Sequence, residues 1–522
     1  MLESHELSSQ SLFSELESLR NSVSGLKSSL QREKEKNKIY EKEITWLHEV
    51  IGAFKRHRFG PRSEKWETEE QLLFNEAEVY GKQEKLEGDQ ESEITVEEHT
   101  RKRGHRKPLP ENLPREVVVI DLPESERIGS DGKPMGKIGE EISEKLIYEP
   151  AKIKVIEYHR IRYGEDSGDK GVIAPPVPSI IPQGIVTASL LSQIVVQKFL
   201  YGLPFYRQED IFKRLGVEIP RCTQARWVVQ AAQECRPLWN ILEDRLMSSN
   251  YVSCDETWTQ VLKEKGRKPE QKSWMWVRCT PNDIKKIVLF DYDPNRSAQV
   301  AMRLFADYKG ILQVDGYGSY NCLEGKQGLI RIGCNMHGRR KFEEAFKTGA
   351  KAGQTLAEAA LRFYKRLYEV EEEAKKLSFE ERHKLREEKA KPIWEGFKTW
   401  ADDNHGKVPP KSKIGMAFGY FRNEYKYLIG YLQAGYLEMD NGFAERAIKN
   451  FAIGRKNWLF SDTEAGAEAS SLFYSLVATI KINGGDPCTV LTEVFEKTPL
   501  AKTIEDYEKL VDLILSPRPR KS

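Results

Sequence analysis

Cysteine is scarce and scattered. The 522-residue chain has 7, standing singly at 222, 235, 254, 279, 322, 334 and 488, with no Cys-x-x-Cys pair and none before position 222. That excludes a disulfide framework and a cysteine-rich zinc module, and it suits a reducing cytosol. No run approaches the roughly 18 apolar residues of a spanning helix, so no membrane is expected. The opening MLESHELSSQSLF lacks the basic flank, apolar run and cleavage site of a secretory leader. Charge of one sign is not in excess either: 82 Lys and Arg face 80 Asp and Glu, a net +2. Global charge therefore does not announce nucleic acid, and local patches must carry any such argument. What is present is size. A chain this long, 39% hydrophobic, exceeds one ordinary domain and can bury several cores.

A heptad repeat runs over residues 12 to 54. One seam holds Leu16, Val23, Leu30, Asn37, Ile44 and Ile51; the other holds Leu12, Leu19, Leu26, Glu33, Tyr40, Leu47 and Phe54. Such spacing keeps an apolar seam on one side of a supercoiled helix. It predicts a self-associating coiled coil, or else a long helix packed on its own protein. Gly25 and the Ser-rich first half weaken it. Lys55, Arg56, His57 and Arg58 follow. Between Glu67 and Glu98 the sign inverts, with eleven Glu and one Asp against two Lys, the composition of a solvated linker. Arg101, Lys102 and Arg103 open a basic stretch that either tracks phosphates or balances the acidic one.

EVVVIDL and KIKVIEYHRIRY predict a small β-rich unit, closed by the Pro-rich APPVPSIIPQG. Helical signals follow from 185 to 250. Within them FYRQEDIFKRLG and RCTQARWVVQAAQE flank VEIP, which reads as a helix-turn-helix or an ordinary helix pair. YVSCDETWTQVL, KSWMWVRCT, KKIVLFDYD and ILQVDGYG are strand candidates, with RSAQVAMRLFADY a helix between the last two. Residues 341–400 are charged and helical. A final helix, basic turn and helix follow around GRKNWLF, and the tail after Gly484 reads as short mixed helix with a frayed PRPRKS end.

Three acids stand out by position. Asp255 follows the apolar strand YVSC, Asp315 ends ILQV, and Glu445 falls in a predicted helix, DNGFAERAIKN. Carboxylates at adjacent strand ends can converge at one sheet edge, and a third from a helix can close a cage of hard oxygen ligands suited to paired Mg²⁺ ions. Glu256 points to the other face of the strand. Asp291 and Asp293 read as decoys beside a turn. Trp274, Trp276 and Trp458 read as core.

The stretches DETWTQV, LQVDGYGSYN, MHGRRKFEEA and NGFAERAIKNFAIGRKNWLFSDTEAGAEASSLFYSLVATIKING, with FGPRSEKW and LPFYRQEDIFKRLGVEIPRCTQARWV, resemble the IS66-type transposases in order and content over about residues 12 to 485. These are acidic-triad transposases with an RNase-H-like core. The resemblance implies a multidomain α/β chain. Residues 1–56 are expected as a coiled coil, 57–110 as a charged linker, 111–170 as a β-rich domain and 171–250 as a helical DNA-binding region. The catalytic core is expected in two parts, 251–345 and 426–482, split by a helical insertion at 346–425, with 483–522 as tail.

It further implies that Asp255, Asp315 and Glu445 hold Mg²⁺, with Mn²⁺ as a substitute, and cut phosphodiesters at element ends before joining them to target DNA. His337, Arg339, Arg340, Arg446, Arg455 and Lys456, with Arg101, Lys102 and Arg103, are candidate contacts to double-stranded DNA; His337 reads equally as a helix-start packing residue. Expected partners are further copies of the chain, through the coiled coil, and small companion proteins of the element. The expected setting is the nucleoid of a bacterial cytoplasm. A metal-dependent nuclease without joining, and an idle DNA-binding regulator, are the alternatives. In two places the chain departs from the family. Residues 111–165 lack the four cysteines of its zinc module and offer only His159, so no structural zinc is expected. Bulky Trp258 also stands where relatives carry smaller residues.

Overall fold

The computed structural model describes residues 20, 23–27, 29–31, 33–37, 153–159, 162–164, 171–173, 176–348 and 355–516. The remaining heptads, the charged stretch 57–110 with Arg101, Lys102 and Arg103, and most of the expected β-rich unit lie outside these. The described residues between 20 and 37 are helical, and the seam residues Val23, Leu26 and Leu30 are exposed. Two compact units are present. One comprises 1–65, 178–208 and 220–517; the other comprises 66–177, 209–219 and 518–522. In the second, β1 (Arg162–Gly164) pairs antiparallel with β2 (Gly171–Ile173). Residues 153–159 have the β composition expected of a strand but form none, and Val155, Ile156 and Tyr158 are exposed. β propensity reflects fit to a neighbouring strand, so composition alone does not make a ladder.

Helices α1 (Ala188–Phe199), α2 (Phe205–Arg214), α3 (Arg221–Glu234) and α4 (Arg236–Met247) precede the main sheet. Thr187 caps α1 by accepting from Leu190 N, and Pro237 starts α4 where no amide donor is needed. The sheet contains β3 (Tyr251–Lys263), β4 (Lys272–Cys279) and β5 (Val288–Asp293). After α5 (Ala298–Leu304) come β6 (Gly310–Val314) and β7 (Leu329–Gly333). The order is β5-β4-β3-β6-β7, with β4 antiparallel to both neighbours and β3, β6 and β7 mutually parallel.

The chain then leaves the sheet through α6 (Asn335–Thr348), α7 (Leu356–Ala374), α8 (Phe379–Leu385), α9 (Lys391–His405) and α10 (Lys413–Leu428). Their core is aromatic: Phe342, Tyr364, Trp394, Phe397, Phe418 and Phe421 are all buried. Phe363 stacks on Phe397 at 4.8 Å, and Phe397 lies 4.3 Å from Phe421. Buried Arg386 closes this layer through a two-pronged bond to Glu371, at 2.6 and 2.9 Å. The chain returns to the sheet through α11 (Gly442–Trp458) and a short β8 (Ser461–Thr463) paired with β3.

Helix α12 (Glu464–Ile482) is buried through its middle, Ala469–Val477, and covers the free edge of β5. Its hydroxyls do the work of a missing strand: Ser475 Oγ accepts from Phe290 N at 2.7 Å, and Thr479 Oγ1 accepts from Val288 N at 3.1 Å. An uncovered edge would leave those amides as a template for aggregation.

The segment after Gly484, read as short mixed helix, is helical and packed against the rest of the fold. It forms α13 (Pro487–Lys497) and α14 (Ile504–Leu515), which bury Val490, Leu491, Val494, Phe495, Val511 and Ile514. α13 packs on α1, where Ser192 and Thr492 hydroxyls meet at 2.7 Å, and α14 packs on α4, where Arg245 donates to Asp512 at 2.8 Å. Both helices place apolar residues at helical spacing, and that face has a partner nearly 300 residues upstream. Leu491→Ala should therefore cost about 2–5 kcal/mol in denaturant unfolding, whereas Ile504→Ala, at a position 70% exposed, should change stability by less than about 0.5 kcal/mol.

Candidate active site

Two of the three expected carboxylates are brought together by strand register. β3 and β6 run parallel with Ser253 opposite Gln313. Continued two residues further, that register leads to Asp255 and to Asp315 just past the end of β6, close enough for the Asp315 charge to help raise the Asp255 carboxyl. Asp315 follows the last residue of β6 and makes a tight turn in which its Oδ1 accepts from Tyr317 N at 3.0 Å. Its carbonyl accepts from Arg331 Nη2 at 3.1 Å, and Arg331 is itself paired with Glu424 at 2.7 Å. Gly316 permits the turn: a Cβ there would lie 2.5 Å from the ring of Tyr420.

Glu445 comes from the first turn of α11. A carboxylate in that position is stabilised by the partial positive charge of the helix start. The helix is aimed by Asn441, which is buried. Its Nδ2 donates to the Cys254 carbonyl at 2.7 Å, its backbone N donates to Cys334 Sγ at 3.2 Å, and its own carbonyl accepts from Glu445 N at 3.1 Å. The helix carrying Glu445 is thus tied to the residue preceding Asp255. An Asn before a helical run signals a cap. Here the side chain caps nothing and reaches the strand instead, a use that the sequence pattern does not disclose.

Burial, then the charges of Glu256, Glu445 and Asp315, push the Asp255 carboxyl well above the usual carboxylate range. Glu256 faces away, as its parity predicts. It is locked between Arg296, at 2.5 Å, and the Tyr320 hydroxyl, at 2.5 Å. Arg296 in turn lies 3.6 Å over the Tyr317 ring. The decoy acids are also paired: Asp291 with buried Arg278 at 2.9 Å, and Asp293 with Arg303 at 2.9 Å.

His337 lies in the first turn of α6, with Nδ1 3.6 Å from Glu445 Oε1. Cys334 Sγ is 3.7 Å from the same oxygen. Arg339 and Arg446 are exposed, and Arg340 and Lys456 are half-buried. Arg455 is buried: its guanidinium lies 3.9 Å over Trp258, donating to Thr257 Oγ1 at 3.0 Å and to the Trp258 carbonyl. This guanidinium fastens the far end of α11 to β3. Trp276 is fully buried, whereas Trp274 is only half-buried beneath Arg296 at 4.8 Å. Trp458 donates to Tyr474 Oη at 3.4 Å. Tyr320, Cys334 and Asn441 carry no sequence signal for these roles, and Arg296 reads only as part of a solvent-facing turn, since their roles depend on contacts across the chain.

The raised Asp255 carboxyl has a sign that can be checked. Between the usual carboxylate value and its folded value the native protein holds a proton that the unfolded chain lacks. Stability contributed by this group therefore falls as pH rises through that window and stays lower above it. Asp255→Asn should raise the melting temperature at pH 8 in chelator by roughly 2–4 °C, the equivalent of about 1 kcal/mol. The gain should vanish toward pH 4, and differential scanning calorimetry checks both.

A sequence model described as the IS66 transposase family matches residues 183–469. A second, described as Transposase C of IS166 homeodomain, matches residues 46–118, overlapping the stretch read above as a linker. The uncharacterized protein y4jD of Sinorhizobium fredii is 31% identical over 77% of this chain and 80% of its own length. The uncharacterized protein y4qI of the same organism is 32% identical over 72% of this chain and 71% of its own. The uncharacterized protein y4hP, also from there, is 27% identical over 80% and 78%. Matched across the whole main sheet and the helices that return to it, the chain belongs to the IS66 family of transposases.

Proposed function

We propose that the chain is a DNA-cutting and DNA-joining transposase whose catalytic groups are Asp255, Asp315 and Glu445. The observation that carries this reading is the register of parallel β3 and β6, which leads to Asp255 on the one and to Asp315 just past the end of the other, with Glu445 tethered to β3 through Asn441. The strand order β5-β4-β3-β6-β7, with β4 alone reversed, supports an RNase-H-like description of the core.

The donor set fits a hard divalent cation. Three carboxylates supply oxygen ligands, and a cation would relieve both the burial and, after it, the neighbouring negative charges that raise the Asp255 carboxyl. Bound Mg²⁺ or Mn²⁺ would supply an activated water or hydroxyl and charge stabilisation at the leaving oxygen. The protein's part is positional. β3 and the end of β6 position two carboxylates, α11 delivers the third, and the Arg296–Tyr320 pair keeps Glu256 from competing for the cation. Arg339, Arg340, Arg446 and Lys456 would neutralise backbone phosphates, and His337 would orient the scissile one. Arg101, Lys102 and Arg103 would extend the phosphate contacts, and α2–α3 would act as a helix-turn-helix on element ends. The heptads, whose seam residues Val23, Leu26 and Leu30 are exposed, would bring two copies together on double-stranded DNA, with companion proteins of the element assisting. No membrane enters this reading. No helix among the described residues is long and apolar enough to cross one.

The test uses purified full-length protein, labelled element ends and Mg²⁺ or Mn²⁺. Wild type should give cleaved and joined products, and Asp315→Asn should lower both at least about a thousandfold, a loss of about 4 kcal/mol of transition-state stabilisation. Cleavage without joining would mark a nuclease, and undiminished products from Asp315→Asn would overturn the assignment.

A further inference from the structure

Among the described residues, the group of His, Cys, Asp or Glu side chains whose ligand atoms all lie within 4.8 Å of one another is Cys334, His337 and Glu445. The three carboxylates of the proposed catalytic set do not form such a group. We propose that Cys334, His337 and Glu445 are a site for a thiophilic divalent cation of the zinc class, and that an ion held there draws Glu445 away from Asp255 and Asp315. The first clause stands on geometry alone; the second rests on the catalytic reading of Glu445.

Two of the three donor separations match tetrahedral ligation. With Zn–S near 2.3 Å and Zn–N and Zn–O near 2.0–2.2 Å, tetrahedral edges come to about 3.6 Å for S···O and about 3.4 Å for N···O. The corresponding separations here are 3.7 Å and 3.6 Å, and the sulfur and the imidazole nitrogen lie within 4.8 Å of each other. Cys334 follows β7, and His337 lies three residues on, in the first turn of α6, so the strand end and helix start fix both donors. Asn441 N already donates to Cys334 Sγ at 3.2 Å. Burial, then the charges of Asp440 and Glu445, push the Cys334 thiol well above its ordinary value, and this N–H offsets part of that; the rest falls to the cation itself.

Charge and access agree with the assignment. A thiolate and a carboxylate balance a dication, and the fourth position is left for water. Cys334 is buried, whereas the His337 and Glu445 side chains keep about a fifth of their surface exposed, so an ion would arrive from the side on which those two face solvent. Sulfur and imidazole select zinc-class ions over Mg²⁺, which prefers six oxygens. On binding, the Cys334 thiol releases one proton to solvent as the S–metal bond forms. No cysteine-rich module is needed, because one sulfur suffices with a nitrogen and an oxygen.

Co²⁺ is the probe, added to full-length protein with the exposed Cys222 and Cys322 changed to Ser. The expected result is one equivalent bound with intensified visible bands of a tetrahedral ion and a near-ultraviolet thiolate-to-cobalt band. Zn²⁺ should displace it and millimolar Mg²⁺ should not. Cys334→Ser should abolish the thiolate band, His337→Ala should weaken binding at least tenfold, and Asp255→Asn should retain the band. Circular dichroism melts establish that each variant is folded; His337→Ala, at a partly exposed position, decides the matter if Cys334→Ser does not fold. Absence of the band in the parent, or an unchanged band and affinity in folded His337→Ala, would overturn the site. In the DNA reaction, Zn²⁺ added over Mg²⁺ should inhibit the parent, and His337→Ala should need at least tenfold more for the same fractional inhibition. A thiolate band without such inhibition would keep the site and overturn the withdrawal of Glu445.

Discussion

The hydrogen bond from Asn441 to the Cys254 carbonyl decides where the third carboxylate can be. Asp255 and Asp315 need no such device, because parallel pairing of β3 and β6 brings their positions together. Glu445 arrives after the whole helical layer α6–α10, and without a fixed start α11 could rotate or slide. A buried side chain at 2.7 Å from the strand carbonyl, with its backbone amide on Cys334, removes that freedom. At the other end of the same helix, buried Arg455 grips Trp258 and Thr257. Both anchors land on β3, so helix and central strand move as one body.

This stiffness opposes a real repulsion. Burial and three neighbouring carboxylates raise the proton affinity of Asp255, so the folded chain carries an electrostatic cost at neutral pH in the absence of a cation. The surroundings limit that cost by pairing several of the other acids nearby. Glu256 is held by Arg296 and Tyr320, Asp291 by Arg278, and Glu424 by Arg331. In the set proposed to bind metal, Asp255 keeps its raised carboxyl and Glu445 lies 3.6 Å from His337 Nδ1. Sites that must bind charge are commonly destabilising until they do so.

Much of this was legible in sequence where the cause is local. The strand from Tyr251 to Lys263, the return helix holding Glu445 and the helix pair at 205–234 follow from alternation, helical periodicity and turn residues. The outward parity of Glu256 followed from strand pleating. Long-range placement was not legible. Arg455 looks like a phosphate ligand in a basic turn, yet it is buried against Trp258. The last two helices look like a tail, yet their apolar faces fill against α1 and α4. Residues 153–159 have strand composition and no ladder. Cys334 looked like one of seven unremarkable sulfurs until the fold set it 3.7 Å from Glu445.

The central claim is that Asp255, Asp315 and Glu445 share one divalent cation site. Iron-directed backbone cleavage tests it most directly: Fe²⁺ with ascorbate and peroxide cuts the chain beside the residues that hold the ion. Cuts beside Asp255, Asp315 and Glu445 together, suppressed in parallel by excess Mg²⁺, are the predicted result. Cuts confined to the Cys334–Glu445 neighbourhood, with β3 and β6 intact, would contradict it.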